Sequence, residues 1–249
     1  MATKPGSHSQ PFVRRLESIF ALSEEEKRAI VDLPMQVVEL KADQDIVREG
    51  DRPSRCCLLL DGVVCTYKLT GDGKRQIMAF HLAGDVPDLQ SLHLRVLDSS
   101  LATLTPCKVG FIRHEAMREL YERFPRIGDA FWRTTLVDGS IFREWLANVG
   151  QRNSHARIAH LLCETLVRSK AVGLATEETC DFPITQQEIA EATGMTVVHA
   201  NRVIQDLRAS GLIELRQNKL TVPDLDRLME AGDFDPAYLH LNEPQRVAA

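Results

Sequence analysis

The chain has 249 residues, 44% of them hydrophobic and 26% charged, with a formal net charge of −5 at pH 7. That length allows two ordinary domains with real cores, and no run approaches the roughly 20 apolar residues of a membrane-spanning helix. The acidic balance gives no general attraction to nucleic acid: from residue 151 onward 10 Lys and Arg stand against 14 Asp and Glu, so a nucleic-acid reader there needs a local positive face.

The opening MATKPGSHSQPF lacks the apolar core of a signal segment, so the cytoplasm is the expected location and the six cysteines are expected to be reduced. Phe12, Leu16, Ile19 and Phe20 recur at helical spacing. Ser23 with Glu26 forms a capping box that opens a second helix through Ala29 and Ile30. From Gln36 the period changes. The segments VVEL, CCLLL, VVCTYKL, QIMAFHL and CKVGFI are short and apolar, with turn signals at Gly50, Gly62, Gly73 and Gly84. Short strands at near-regular spacing predict an antiparallel sandwich or barrel from about residue 36 to 113.

His114 to Phe124 reads as a brief helix halted before Pro125. Ile127 to Gln151 then reads as one long helix. Ile127, Phe131, Thr134, Asp138, Ile141, Trp145 and Asn148 alternate by steps of four and three, the spacing of a coiled-coil seam, and are the expected dimer interface. Ala130, Leu136, Phe142, Leu146 and Val149 form a second stripe, expected to pack on the β domain. A single internal helix buried in one core stays open as the alternative, because Thr134 and Asp138 are polar. Gly150 to Asn153 is the expected hinge, and Asn153 or Ser154 caps a helix carrying Ile158, Leu161, Leu162 and Leu166. A linker follows through Gly173, Glu177 and Glu178.

The stretch ITQQEIAEATGMTVVHANRVIQDLRASGLI begins at Ile184. Thr185 is its N-cap candidate, Ala190 allows a close helix crossing, and Gly194 suits a turn that needs positive φ. A second helix opens at Thr196 and turns Ala200, Val203, Ile204 and Leu207 inward. Two helices joined in this way predict a helix-turn-helix whose second helix enters a DNA major groove. Its outer face would present Thr196, Val197, Val198, His199, Asn201 and Arg202. Leu212 to Val222 reads as a hairpin wing turning at Gln217 and Asn218, and the tail beyond Met229 is expected to be loosely ordered.

The order of these parts resembles the Crp/Fnr family of bacterial transcription regulators over about residues 12 to 228. The stretches that carry the resemblance are IVREGD at Ile46, LLLDGVV at Leu58, GDGKRQIMAFHLAGD at Gly71, ARIAHLL at Ala156, and the helix-turn-helix. It implies an α+β chain. An N-terminal antiparallel β-roll (a double-stranded β-helix) in a cyclic-nucleotide-binding-like sensor domain, 1–124, precedes a dimerisation helix and hinge, 125–152. A winged helix-turn-helix DNA-binding domain, 153–228, and a C-terminal tail, 229–249, follow. It also implies a homodimer on double-stranded DNA, with RNA polymerase as a further partner and activation as the default.

By the same resemblance Arg202 matches the family arginine that reads guanine, and Thr185, Gln187 and Thr196 match backbone-contacting positions. The usual glutamate four residues before that arginine is Val198 here, so a different half-site is expected. A surface salt bridge between Arg202 and Asp206 is the plainer reading of the arginine. The effector-pocket positions correspond to Asp88, Leu89, Ser99, Ser100, Phe142 and Arg143, with Arg95 nearby. The family's phosphate arginine is missing and Asp88 is added, so no cyclic AMP binding is expected. The effector is left unknown.

Cysteines 56, 57, 65 and 107 lie in predicted strands, where small buried hydrophobes are the usual reading. Iron-sulfur members of the family carry a tight N-terminal cysteine cluster, and no cysteine precedes Cys56. His160 and Cys163 share a helix face but lack a third ligand, so no metal site and no cofactor is assigned. Cys180, placed in an exposed linker, is the redox candidate. No catalytic pattern stands out, and no enzyme activity is expected. Two other readings stay open: a cyclic-nucleotide-binding module serving a partner enzyme, and a redox- or metal-sensing regulator.

Overall fold

The structure, a computed structural model, describes residues 9–242. Helices α1 (Gln10–Glu17) and α2 (Glu24–Val31) come first. Ser23 accepts from the Glu26 amide at 3.2 Å while Glu26 accepts from the Ser23 amide at 2.7 Å, the reciprocal cap the sequence predicts. Seven strands follow: β1 (Gln36–Leu40), β2 (Asp45–Val47), β3 (Arg55–Asp61), β4 (Val64–Leu69), β5 (Arg75–His81), β6 (Ser100–Thr103) and β7 (Cys107–Arg113). They pair antiparallel in two sheets, ordered β1-β7-β3 and β2-β6-β4-β5.

β3 is buried on both faces, which is why CCLLL is a continuous apolar run. Cys57 and Leu59 face a core shared with Val64, Leu101 and Val109. Cys56, Leu58 and Leu60 face Phe12, Leu16, Ile30 and the start of the long helix. Strands β2 and β6 were not among the predicted strands. They are three and four residues long, too short to show an alternating pattern.

Helix α3 (His114–Arg123) is followed by α4 (Pro125–Gln151), whose first residue is proline, where the missing N–H costs nothing. Here the structure corrects the predicted seam. Ile127, Phe131, Thr134, Ile141, Trp145 and Asn148 are buried inside this one chain, and Asp138 is half-buried. Phe131 stacks on Phe12 with ring centroids 5.9 Å apart, and Trp145 meets Phe80 edge-on at 5.6 Å. The face of α4 left open instead carries Trp132, Leu136, Phe142 and Leu146, the last 75% exposed. Both stripes are apolar and both repeat every three or four residues, so spacing alone assigns them to the wrong sides.

Asn153 caps α5 (Ser154–Ala171) by accepting from the Ala156 amide. Then come β8 (Thr179–Asp181), α6 (Gln186–Thr193), α7 (Val197–Ala209), β9 (Glu214–Arg216), β10 (Lys219–Thr221) and α8 (Leu225–Gly232). Gln217 and Asn218 both take positive φ, 51° and 59°, as a two-residue hairpin turn requires. The predicted linker supplies a third wing strand, giving the order β8-β10-β9. Cys180 lies in it, opposite Leu220, and is 3% exposed. Its reading as an exposed redox thiol is therefore corrected. All six cysteines are free and buried.

The tail is also more ordered than expected. Phe234 and Leu239 are buried, and the chain stays packed to Asn242; residues 243–249 lie outside the described part. One apolar core runs from β4 and β5 through the middle of α4 into the helix-turn-helix.

Candidate nucleic-acid interface

The reading unit is built from local signals. Thr185 accepts from the Glu188 amide at 3.2 Å and Glu188 accepts from the Thr185 amide at 2.6 Å, so α6 starts at a complete capping box. Gly194 ends it in the left-handed region at φ 65°, which only glycine adopts cheaply. Thr196 then caps α7 by accepting from the His199 amide. Ile189, Ala190, Ala200, Val203, Ile204 and Leu207 are buried between the two helices and α5.

What remains open is the N-terminal edge of α7. Thr196, His199 and Arg202 are exposed, and Val198 is 73% exposed. Two expected members of this face are only half out: Val197 packs on the core, and Asn201 is half-buried with a buried, unpartnered side-chain oxygen. Thr185 and Gln187 are exposed at the start of α6, and Gln187 donates to Glu191 at 2.8 Å. Arg202 does not pair with Asp206; that carboxylate lies 3.3 Å from His155 instead.

The acidic balance of this half resolves locally. Glu188 is consumed by its cap, Glu191 pairs with Arg75 at 2.7 Å, and Glu164 is buried among donors. The first turn of α7 carries no acid. Beside it, Arg152, Asn153, Ser154, Arg157, Thr196 and His199 line a groove where the N-termini of α5 and α7 meet. Helix N-termini with exposed amides favour phosphate. Ser154 and Arg157 are members of this surface that the sequence marks only through the cap at Asn153.

A second feature is a cleft of about 680 Å³ between β4, β5 and α4. Of the predicted effector positions, Leu89, Ser99 and Phe142 line it, and Asp88, Arg95, Ser100 and Arg143 do not. Asp88 turns inward and accepts from the Cys57 amide at 2.8 Å, its carboxyl pushed up to about 6 by burial. Ser100 accepts from the Glu49 amide, and Arg143 donates to Ser140. The carboxylates that line the cleft are Asp98 and Asp138; Asp138 has Arg15 3.8 Å away, and burial pushes its pKa up to about 6. Lys68 and Arg168 also line the cleft, and both are already paired, Lys68 with Glu49 and Arg168 with Asp85 and Glu164.

Residues 37–124 match the model of the cyclic nucleotide-binding domain, and residues 156–231 match that of the Crp-like helix-turn-helix domain. The chain belongs to the Crp/Fnr family. As a member of it, this chain is a DNA-binding transcription regulator. It is 25% identical over 225 residues to the transcriptional activator protein FnrL of Cereibacter sphaeroides, which covers 88% of this chain and 90% of that protein. It is 26% identical over 191 residues to a probable transcriptional activator of Rhizobium leguminosarum bv. viciae, covering 76% and 78%. Among solved structures, FixK2 of Bradyrhizobium japonicum superposes with a TM-score of 0.72 at 21% identity, over 80% of this Crp/Fnr chain and 98% of that one. No described helix is long and apolar enough to cross a membrane.

Proposed function

We propose that two copies of this chain pair along α4 and read a near-palindromic DNA site, each laying the N-terminal edge of α7 in a major groove. The observation that carries this reading is the open edge itself: Thr196, Val198, His199 and Arg202 are exposed. The open stripe of α4 supports pairing, since the exposed Trp132, Thr135, Phe142 and Leu146, with the half-buried Gly128 and Gly139 between them, alternate by four and three. The domain divisions are a sensor to residue 124, the pairing helix and hinge to 152, and the reading domain beyond.

In this reading Arg202 takes guanine by its two-pronged guanidinium, and Val198 touches a thymine methyl where a glutamate would accept from cytosine. Thr185, Gln187 and Thr196 meet phosphate, with Ser154 and Arg157 beside them. The protein works in the cytoplasm, without a catalytic step. The named activators among its relatives support activation, and RNA polymerase is the partner assigned to it in this reading. The cleft takes a neutral or cationic apolar effector rather than cyclic AMP, because both of its cations are paired and Asp98 and Asp138 add negative charge. An anion there would find no unpaired Lys or Arg among the lining residues and would face the charge of Asp98.

Footprinting on fragments of the native genome tests the reading. Two protected half-sites with centres about 34 Å apart are expected. Tight cyclic-nucleotide binding without any DNA protection would instead favour a regulatory module for a partner enzyme.

A further inference from the structure

The chain beyond α8 does not simply trail from the DNA-binding domain. It turns at Asp233, where φ is 46°, and runs back to the N-terminal helix. At the hinge, Arg152 holds the Asp233 carboxylate at 3.2 Å and donates to its carbonyl at 2.9 Å. Tyr238 then donates its hydroxyl to Glu164 at 2.6 Å and lies 3.1 Å from His160 Nε2. Glu164 is 2% exposed and also accepts from Trp145 of α4 at 3.0 Å, so one carboxylate joins α4, α5 and the segment. Leu239 is 1% exposed, beside Val137 and Ile141 of α4 and Leu82 after β5. At the far end the Asn242 amide donates to the Ser18 carbonyl at 2.7 Å, and its side chain donates to the Glu17 carbonyl at 2.8 Å.

Ser18 caps the C-terminus of α1, and α1 is fastened to the roll. Arg15 pairs with Asp85 at 2.7 Å, and Asp85 also pairs with Arg168 of α5 at 3.0 Å. Neither end of the contact belongs to the segments matched by the two domain models, which cover 37–124 and 156–231. A stretch that buries an aromatic and a leucine while closing hydrogen bonds at both ends has more than a tail's share of contacts.

We propose that Asp233–Asn242 is a strap that couples the N-terminal helix of the sensor to the DNA-binding domain, a second connection that packs against α4 beside the chain's own path through that helix, and fixes the attitude of α7 to the roll. Because α1 also grips Asp85 near the floor of the cleft, a displacement there is passed to the reading head through the strap. The strap needs no assumption about which DNA or effector is bound.

The test measures the roll-to-head distance by double electron–electron resonance on the full chain. Labels go on Lys41→Cys and Ser210→Cys, diluted with unlabelled chain so that each assembly carries one labelled copy. The unaltered strap is expected to give one narrow distance. Leu239→Asp, and a chain ending at Gly232, are expected to give a distribution at least twice as wide. Where the shortened chain does not fold, Leu239→Asp decides. Tyr238→Phe, which loses the bond to Glu164, is expected to widen the distribution as well, and adding Ser18→Cys with Asn242→Cys, oxidised to tie the far end, is expected to narrow it again. Folded strap variants that keep the narrow distance would overturn the proposal. No DNA is present in the measurement, so its outcome is separate from that of the DNA-reading proposal.

Discussion

Arg75 of β5 holds Glu191 of α6 with a nitrogen-to-oxygen distance of 2.7 Å, an ion pair that joins the β-roll directly to the first helix of the helix-turn-helix. Gln76 reinforces it by donating to the Glu191 carbonyl at 2.7 Å. The pair is partly screened, so Arg75→Ala is expected to cost on the order of 1–2 kcal/mol in urea unfolding. Hydrogen exchange of the α6 amides should speed up with it. Unchanged exchange in α6 would show that the contact does not anchor the head.

The two faces of α4 make opposite predictions. Leu146 is on the open side and Trp145, one residue away, is buried. Leu146→Glu is expected to halve the mass seen in sedimentation while leaving the fold intact. Trp145→Ala is expected to lose about 3–5 kcal/mol of stability, because it empties a packed site and strips Glu164 of a donor. A Leu146→Glu protein that sediments like wild type would place the pairing surface elsewhere.

Asp88 gives a pH signature whose sign is fixed by its environment. Its carboxyl is pushed up to about 6 by burial, so between about pH 4 and 6 the folded state binds more protons than the unfolded one. Its contribution to stability is therefore full at low pH and is lost as pH rises through 6. Asp88→Asn keeps an oxygen for the Cys57 amide and removes the charge. The variant is expected to gain on wild type between pH 4 and 7 by on the order of 2–3 kcal/mol. His81, pushed down to about 4 by burial, pulls total stability the other way, so the difference between variant and wild type is the quantity to follow. A difference that stays flat with pH contradicts this account of Asp88.

Thiol titration separates the redox reading from the one favoured here. Burial pushes the Cys180 thiol up to about 11 and Cys56, Cys57, Cys65 and Cys163 up as well. Thiolate is the reactive form, so native protein at pH 8 is expected to react slowly with an aromatic disulfide reagent and to show all six thiols only on unfolding. Rapid modification of one thiol in the folded protein, with loss of DNA binding, would restore the redox sensor.

The parts of this fold that sequence made legible are those set by neighbours along the chain. Thr185 with Glu188, Gly194 and Thr196 define the reading unit within a dozen residues, and each cap forms as its residues dictate. What stayed hidden depends on distant partners. The seam on α4 could not be assigned to a side because its apolar stripes differ only in what covers them. Cys180 looked exposed until Leu220 and the wing closed over it. Asp88 aligned with an effector position yet points to the Cys57 amide, and Tyr238 gives no local sign that Glu164 waits 74 positions away.

Selection of bound sequences from a random pool measures most directly whether the edge of α7 reads duplex DNA. Wild-type protein, under reducing conditions at moderate salt, is expected to enrich a dyad-symmetric motif with a guanine in each half-site. Arg202→Ala is expected to lose preference for that guanine, worth about 1–3 kcal/mol, while the rest of the motif persists. Enrichment of no symmetric motif, or a guanine preference untouched by Arg202→Ala, would contradict that role of α7.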